Sequence, residues 1–356
     1  MSMRSVQSQH GVTLVEMMVA LAIGLIISAG AVAIVLNNRE ANRSTEALAR
    51  IQESTRVAFE LMSRDLRGAS INACSGGVRV MNLLGNPTAQ WWTNWEGGLK
   101  GYEGSQATTA QATGTDEMQR KADSDALEIM TSGTTALPVR AHNPGSTETT
   151  VHGVSVPAYS LALERANNQA HSFAVGDLLV VCDYEDTTLF QASSVDAATN
   201  SVAHAAPAGG APGNCSNTLG FRLACSTTAN KTFPPGSLVM RFEPVTWYVG
   251  YNGSASNDRS PFSLYRISVR GNGTGNMVAQ PVIEEIVEGV SDLQIRYITY
   301  AGEYVLATQT GLDWRQVSGV EIVLTIESPE NRTSTSSTVP RVTRTLTHVV
   351  NLRNRV

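Results

Sequence analysis

Charge is what this chain has least of. Asp, Glu, Lys and Arg make up 16% of its 356 residues, with a net charge of -5, against roughly 25% charged residues in ordinary soluble domains. No basic excess supplies the phosphate-neutralising surface that non-specific binding to nucleic acid requires, which excludes nucleic acid as a general partner. Cysteine is scarce as well. Cys74, Cys182, Cys215 and Cys225 are too few for a disulfide-built scaffold, and the absence of a C-x-x-C followed by a His pair excludes a zinc module. There is no G-x-S-x-G, and His142, His152, His171, His204 and His348 stand without Glu or Cys at ligand or nucleophile spacing. Nothing points to a catalytic constellation, a cofactor or a metal. Proline, finally, is missing from residues 12–67, so nothing there forces a helix to break.

Hydrophobic residues reach 42%, enough to build a core and to exclude a disordered chain. Ser, Thr, Asn, Gly and Ala fill the middle of the sequence, giving the uncharged polar surface common outside the cytoplasm. Residues 17–36, MMVALAIGLIISAGAVAIVL, carry no charge; about 20 such residues at about 1.5 Å each match a bilayer core of about 30 Å. A secretory signal peptide would have a shorter apolar run after a basic stretch. One Arg lies in the first eleven residues, and Arg39 and Arg43 follow the run, so charge bias alone does not orient the span.

Glu16 stands at the start of this apolar helix, where an ionised carboxylate costs about 2.5 to 3.5 kcal/mol on insertion scales. Either it reaches back to the headgroups or it has a task in the membrane. Beyond residue 36, Leu48, Ile51, Thr55, Ala58, Met62 and Leu66 recur at three- and four-residue steps between charged residues, which predicts an amphipathic continuation of the same helix to a C-cap at Gly68. Gly24 and Gly30 are the points where the span could loosen.

Residues 11–17, GVTLVEM, followed by that apolar helix, resemble the prepilin processing motif: a glycine before the cut, an apolar residue after it, and a glutamate fifth in the mature chain. The resemblance implies a leader over residues 1–11, cleavage between Gly11 and Val12 by a prepilin peptidase, N-methylation of Val12, and a filament-assembly role for Glu16 through the amine of a neighbouring subunit. Val12 departs from the family's usual Phe. Residues 49–74, ARIQESTRVAFELMSRDLRGASINAC, are similar to the helix of the minor pilin PilW family, and residues 288–297, EGVSDLQIRY, resemble a segment of the type II secretion pseudopilin J. These likenesses imply an inner-membrane, single-pass protein with a periplasmic domain. Its partners would be other minor pilins, the major pilin and a tip adhesin, and it would prime a type IV pilus or serve a secretion pseudopilus.

The expected architecture is α+β: a transmembrane half-helix over residues 12–36, an amphipathic half over 37–68, and a β-rich domain over 69–356. Expected strands lie at residues 126–131, 177–183, 188–193, 237–242, 246–251, 263–269, 293–299, 317–327 and 342–352, the last three forming one sheet under the helix. Residues 101–124 and 198–218 read as long surface loops with local disorder. Four cysteines allow three pairings; the short Cys215 to Cys225 loop is favoured, leaving Cys74 with Cys182. Asp183, Glu185 and Asp186 form a solvated acidic turn without the spacing of a calcium loop. Residues 271–275 are a loop, not a phosphate cradle. Trp91, Trp92 and Trp95 read as packing or a contact patch.

Overall fold

The computed structural model describes residues 13–69, 74, 79–85, 90–165, 169–206, 212–220, 231–254, 258–271, 279–331, 333–334 and 341–352. One helix runs unbroken over Leu14–Arg67, 54 residues and about 81 Å at 1.5 Å per residue. It passes through Gly24 and Gly30 without interruption, and a Cβ at either would meet nothing. Its buried positions are Ala47, Ile51, Thr55, Ala58, Met62, Ser63, Asp65 and Leu66. Leu48 is only half-buried, so the packed stripe begins one residue earlier than the apolar spacing suggests. Gly68 caps the helix, donating to the carbonyls of Arg64 and Asp65, but with a right-handed φ of -81°. Close approach explains the glycine instead, since a Cβ there would lie 2.4 Å from Thr131 Oγ1.

Beyond it the described chain is strands and loops, with short 3-10 turns at Trp91–Thr93, Glu96–Gly98 and Trp314–Gln316. A five-stranded sheet has the order Ala279–Glu288, Phe262–Gly271, Val245–Tyr251, Ala126–Ile129, Leu99–Tyr102. A four-stranded sheet has the order Tyr304–Val305, Val290–Thr299, Val317–Glu327, Thr343–Asn351, so the last three expected strands do share a sheet. The largest sheet joins eight strands. Toward one edge lies the hairpin of Leu178–Cys182 and Asp186–Gln191, with Arg79–Asn82 as the edge strand, parallel to its outer arm.

Three layers result. Ile51, Ala58, Met62 and Leu66 of the helix pack on Leu127, Val245 and Trp247 of the five-stranded sheet and on Leu293, Ile322 and Leu324 of the four-stranded one. The opposite face of the five-stranded sheet, with Tyr248, Tyr265 and Ile267, packs on Leu178, Val180 and Phe242 of the large sheet. Leu179, Val181 and Phe190 face a third cluster beyond. The uninterrupted apolar run over Leu178–Cys182 thus follows from burial on both faces.

The helix end is pinned by a buried acid. Asp65, 6% exposed, accepts from Trp247 Nε1 at 3.1 Å and Arg266 Nε at 2.8 Å. Farther back, Phe59 meets the His348 ring at 5.0 Å and Arg50 reaches Glu330 at 2.6 Å, so the domain lies along the helix from residue 47 onward. Replacing Asp65 by Ala leaves a mostly buried guanidinium and an indole N–H without their acceptor. The expected cost is about 3 kcal/mol, readable as a lower urea midpoint followed by tryptophan fluorescence.

Two segments expected to be loose are built. Residues 103–125 close around Arg120, which has no exposure at all. Its guanidinium donates to the carbonyls of Glu103, Gln106 and Ser124 at 2.6 to 3.0 Å. Asp125 then ties the segment to the four-stranded sheet by accepting from Gly104 N at 2.9 Å and Ile295 N at 2.7 Å. Residues 198–218 contain the strand Ser201–Ala203 and the buried His204 and Asn214. Residues 103–119 are all exposed or half-buried, but polar side chains of both segments, Arg120 and Asn214 among them, satisfy buried backbone.

Candidate functional site: the head of the N-terminal helix

Thr13 precedes the helix in an extended conformation and closes a reciprocal capping box with Glu16. Thr13 Oγ1 accepts from Glu16 N at 3.3 Å. Glu16 Oε2 in turn accepts from Thr13 N at 2.9 Å and from Thr13 Oγ1 at 3.0 Å. Two of the first N–H groups of the helix, which have no partner inside it, are satisfied this way. The carboxylate also sits where the positive end of the helix dipole favours it. Both contacts fall on Oε2, and a carboxylate offers about four lone-pair sites, so this self-capping leaves acceptor capacity for an incoming cation. Gly11 and Val12 lie outside the described residues.

From Leu14 to Leu36 the apolar side chains are bare: Leu14, Leu25 and Ile26 are each more than 70% exposed, and none of the apolar window is buried against the chain's own domain. By length and composition the helix is able to cross a membrane. Residues 6–32 match the prokaryotic N-terminal methylation motif. This motif indicates a type IV pilin or pseudopilin. Proteins of that kind are generally structural, and the motif together with the apolar helix fits a membrane-anchored protein with an extramembrane domain. No curated protein matches the chain.

The remaining singled-out residues resolve as structure. Cys74 and Cys182 form a disulfide with a Cα–Cα distance of 5.9 Å. Cys215 is also disulfide-bonded, while Cys225 lies outside the described residues. The acidic turn is not simply solvated: Lys231 Nζ lies 2.9 Å from Asp183, 2.7 Å from Glu185 and 3.6 Å from Asp186. Trp91 and Trp92 are buried, edge to face with centroids 5.7 Å apart, and Trp95 rests half-buried on Phe242. Of residues 271–275, only Gly271 is described; it ends a strand. Arginines do collect around a cleft of about 730 Å³ near the helix end, but its walls also hold Glu60, Asp65 and Glu243. Arg266 and Arg241 are committed to Asp65 and Asp177.

One pair escaped the sequence altogether. His142 and His204, 62 positions apart, meet with Nε2 to Nε2 at 3.1 Å. Phe233 N donates to His142 Nδ1 at 3.0 Å, so His142 carries its proton on Nε2 and donates it to His204 Nε2. Both rings are therefore neutral, and neither shared nitrogen is open to a metal. Burial lowers the His142 pKa to about 4 and that of His204 also falls, through burial and then the charge of His142. A folded-state pKa below the unfolded value contributes stability that is complete above about pH 6.5 and lost as pH falls toward 4, amounting to about 3 kcal/mol for His142. Asp125 and Glu128 act oppositely. Burial raises each to about 7, so their share is complete below the ordinary carboxylate range and lost as pH rises through about 7. The His142 contribution is therefore read as a difference: over pH 4 to 6.5 the unfolding free energy of His142→Leu should fall less on acidification than that of the wild type.

Proposed function

We propose that the chain is a minor pilin of the PilW kind, which helps to prime a type IV pilus and sits at or near its tip. The observation carrying this reading is a methylation motif over residues 6–32 running into an apolar half-helix that packs on nothing in its own chain, with Glu16 at its head. In this reading prepilin peptidase cuts between Gly11 and Val12, Val12 is N-methylated, and the bare helices bundle as subunits leave the inner membrane. Glu16 meets the new amine of a neighbour there; a charge pair formed in low dielectric is strong, and an unmet carboxylate is costly, so the pair sets register. The periplasmic domain contacts other minor pilins, the major pilin and a tip adhesin, and twitching depends on the result.

The deciding experiment is the N-terminal peptide mass of protein purified from membranes with and without the peptidase. A mature chain beginning at methylated Val12, seen only with the peptidase, is expected; an uncut chain, or one cut near residues 30–40, overturns the proposal. Glu16→Ala should be processed normally yet disappear from sheared pili, and a normal level in the filament fraction would count against the register role. The strand Val290–Thr299 contains most of the segment that resembles pseudopilin J, which makes a secretion pseudopilus the second reading. Deletion separates the two: lost twitching supports the pilus, lost exoprotein secretion the pseudopilus.

A further inference from the structure

A small cavity on the far side of the five-stranded sheet from the helix has no part in this reading. It measures about 290 Å³ and lies between the aromatic turn at residues 91–95 and the edge strand Leu99–Tyr102, at the small end of the about 300 to 1,000 Å³ usual for ligand sites. Glu128 stands in its wall. It lies on the strand Ala126–Ile129 opposite Lys100 and is only 2% exposed. Tyr102 Oη donates to its Oε2 at 3.1 Å, and Thr108 Oγ1 lies at a long 3.3 Å from Oε1. Trp91 and the half-buried Trp95 supply further aromatic lining, and the exposed Gln90 lies among the lining residues. Trp91 is 4% exposed, and its Nε1 has no hydrogen-bond partner among the described residues; a buried donor left unmet costs about 1 to 3 kcal/mol.

We propose that this cavity binds a single neutral sugar ring. Aromatic faces take the apolar C–H side of such a ring, while a carboxyl, an amide and an ammonium around it meet hydroxyls that both donate and accept. An anionic ligand would face the buried carboxyl of Glu128. A cationic one would find its place taken, because Lys100 Nζ already lies 5.4 Å from the centroid of the Tyr102 ring. Burial raises the Glu128 pKa to about 7, so near neutral pH the carboxyl is present both ionised, opposing an anion, and protonated, able to donate to a hydroxyl. The size of the cavity limits the occupant to about one ring, free or at the end of a glycan.

The test uses the full chain, labelled on its tryptophan indoles, in lauryldimethylamine oxide, a detergent without sugar. Methyl glycosides of glucose, galactose, mannose and N-acetylglucosamine are titrated singly. At least one should shift the Trp91 and Trp95 indole signals saturably while leaving Trp247, at the helix dock, unmoved. Trp95→Ala should weaken that response by about tenfold or more, and the isosteric Glu128→Gln should weaken it too. The Trp247 signal reports whether each variant is folded, and Trp95→Phe, which keeps an aromatic face, should retain part of the response. If none of the four glycosides gives a saturable shift, if both variants respond as the wild type does, or if choline or acetate moves the signals while the sugars do not, the proposal is overturned. The same glycoside on beads then distinguishes a terminal glycan residue, which retains the protein, from a free sugar, which does not.

Discussion

Replacing Cys74 and Cys182 together by Ala should lower the unfolding free energy by about 3 to 5 kcal/mol, the range expected when a bridge closing a loop of about 100 residues is lost. The two residues are 108 apart. Cys182 is fully buried at the end of the Leu178–Cys182 strand, within the layer that packs on the five-stranded sheet, whereas Cys74 follows the helix end at residue 67 by only seven positions. The bridge therefore ties the connection leaving the helix to the large sheet, two layers from the helix itself. Without it, Asp65 and the apolar stripe still hold the helix, but the unfolded chain regains the freedom of the whole intervening loop. Urea titration of wild type and variant, each with and without reductant, checks the size of the effect. Reductant should lower the wild-type midpoint by more than it lowers the variant's, and a remaining response in the variant would come from the separate bridge at Cys215. Equal midpoints for oxidised wild type and oxidised variant would show that the bridge adds nothing.

What the sequence disclosed is whatever repeats along it or stands at fixed short spacing. The helix was readable because an uncharged run and then a three- and four-residue rhythm are local properties. Strand Val317–Glu327 was readable from its alternation, and the two arms of the large-sheet hairpin as short strands at residues 177–183 and 188–193. The anchors between elements were not readable. Asp65 and Arg266 are 201 positions apart and Asp65 and Trp247 182, and a buried carboxylate in a charged helix looks like any exposed one. Lys231 pairs with a turn 46 residues away, and His142 finds His204 only because the large sheet brings the strand of one near the strand that precedes the other. Buried polar groups are specified by what they meet in space, which one-dimensional spacing does not encode. The head of the helix was therefore legible, and the cavity beside Glu128 was not.

The insert around Arg120 gives the sharpest case and the second large effect. In a segment of Thr, Gln, Ala and Gly, a single Arg reads as solvated, yet its guanidinium is the core on which the segment closes. Arg120 makes four hydrogen bonds to three carbonyls, and its own backbone pairs with Ala112 and Gly114. Arg120→Leu would fill the space but leave those carbonyls unmet at about 1 to 3 kcal/mol each, so a total loss of about 3 to 5 kcal/mol is expected after partial relaxation toward water. Arg120→Lys should recover little, because an ammonium keeps the charge but lacks the planar fork that reaches Glu103, Gln106 and Ser124 at once. Because Asp125 joins the segment to the strand Val290–Thr299, the damage should spread. Limited proteolysis should cut first within residues 103–124, and the amides of Leu293 and Ile295, which bond Ser124 and Asp125, should lose hydrogen-exchange protection. Unchanged cleavage and protection in Arg120→Leu would mean that the segment is held by its flanking strands alone and that the buried guanidinium is incidental to its order.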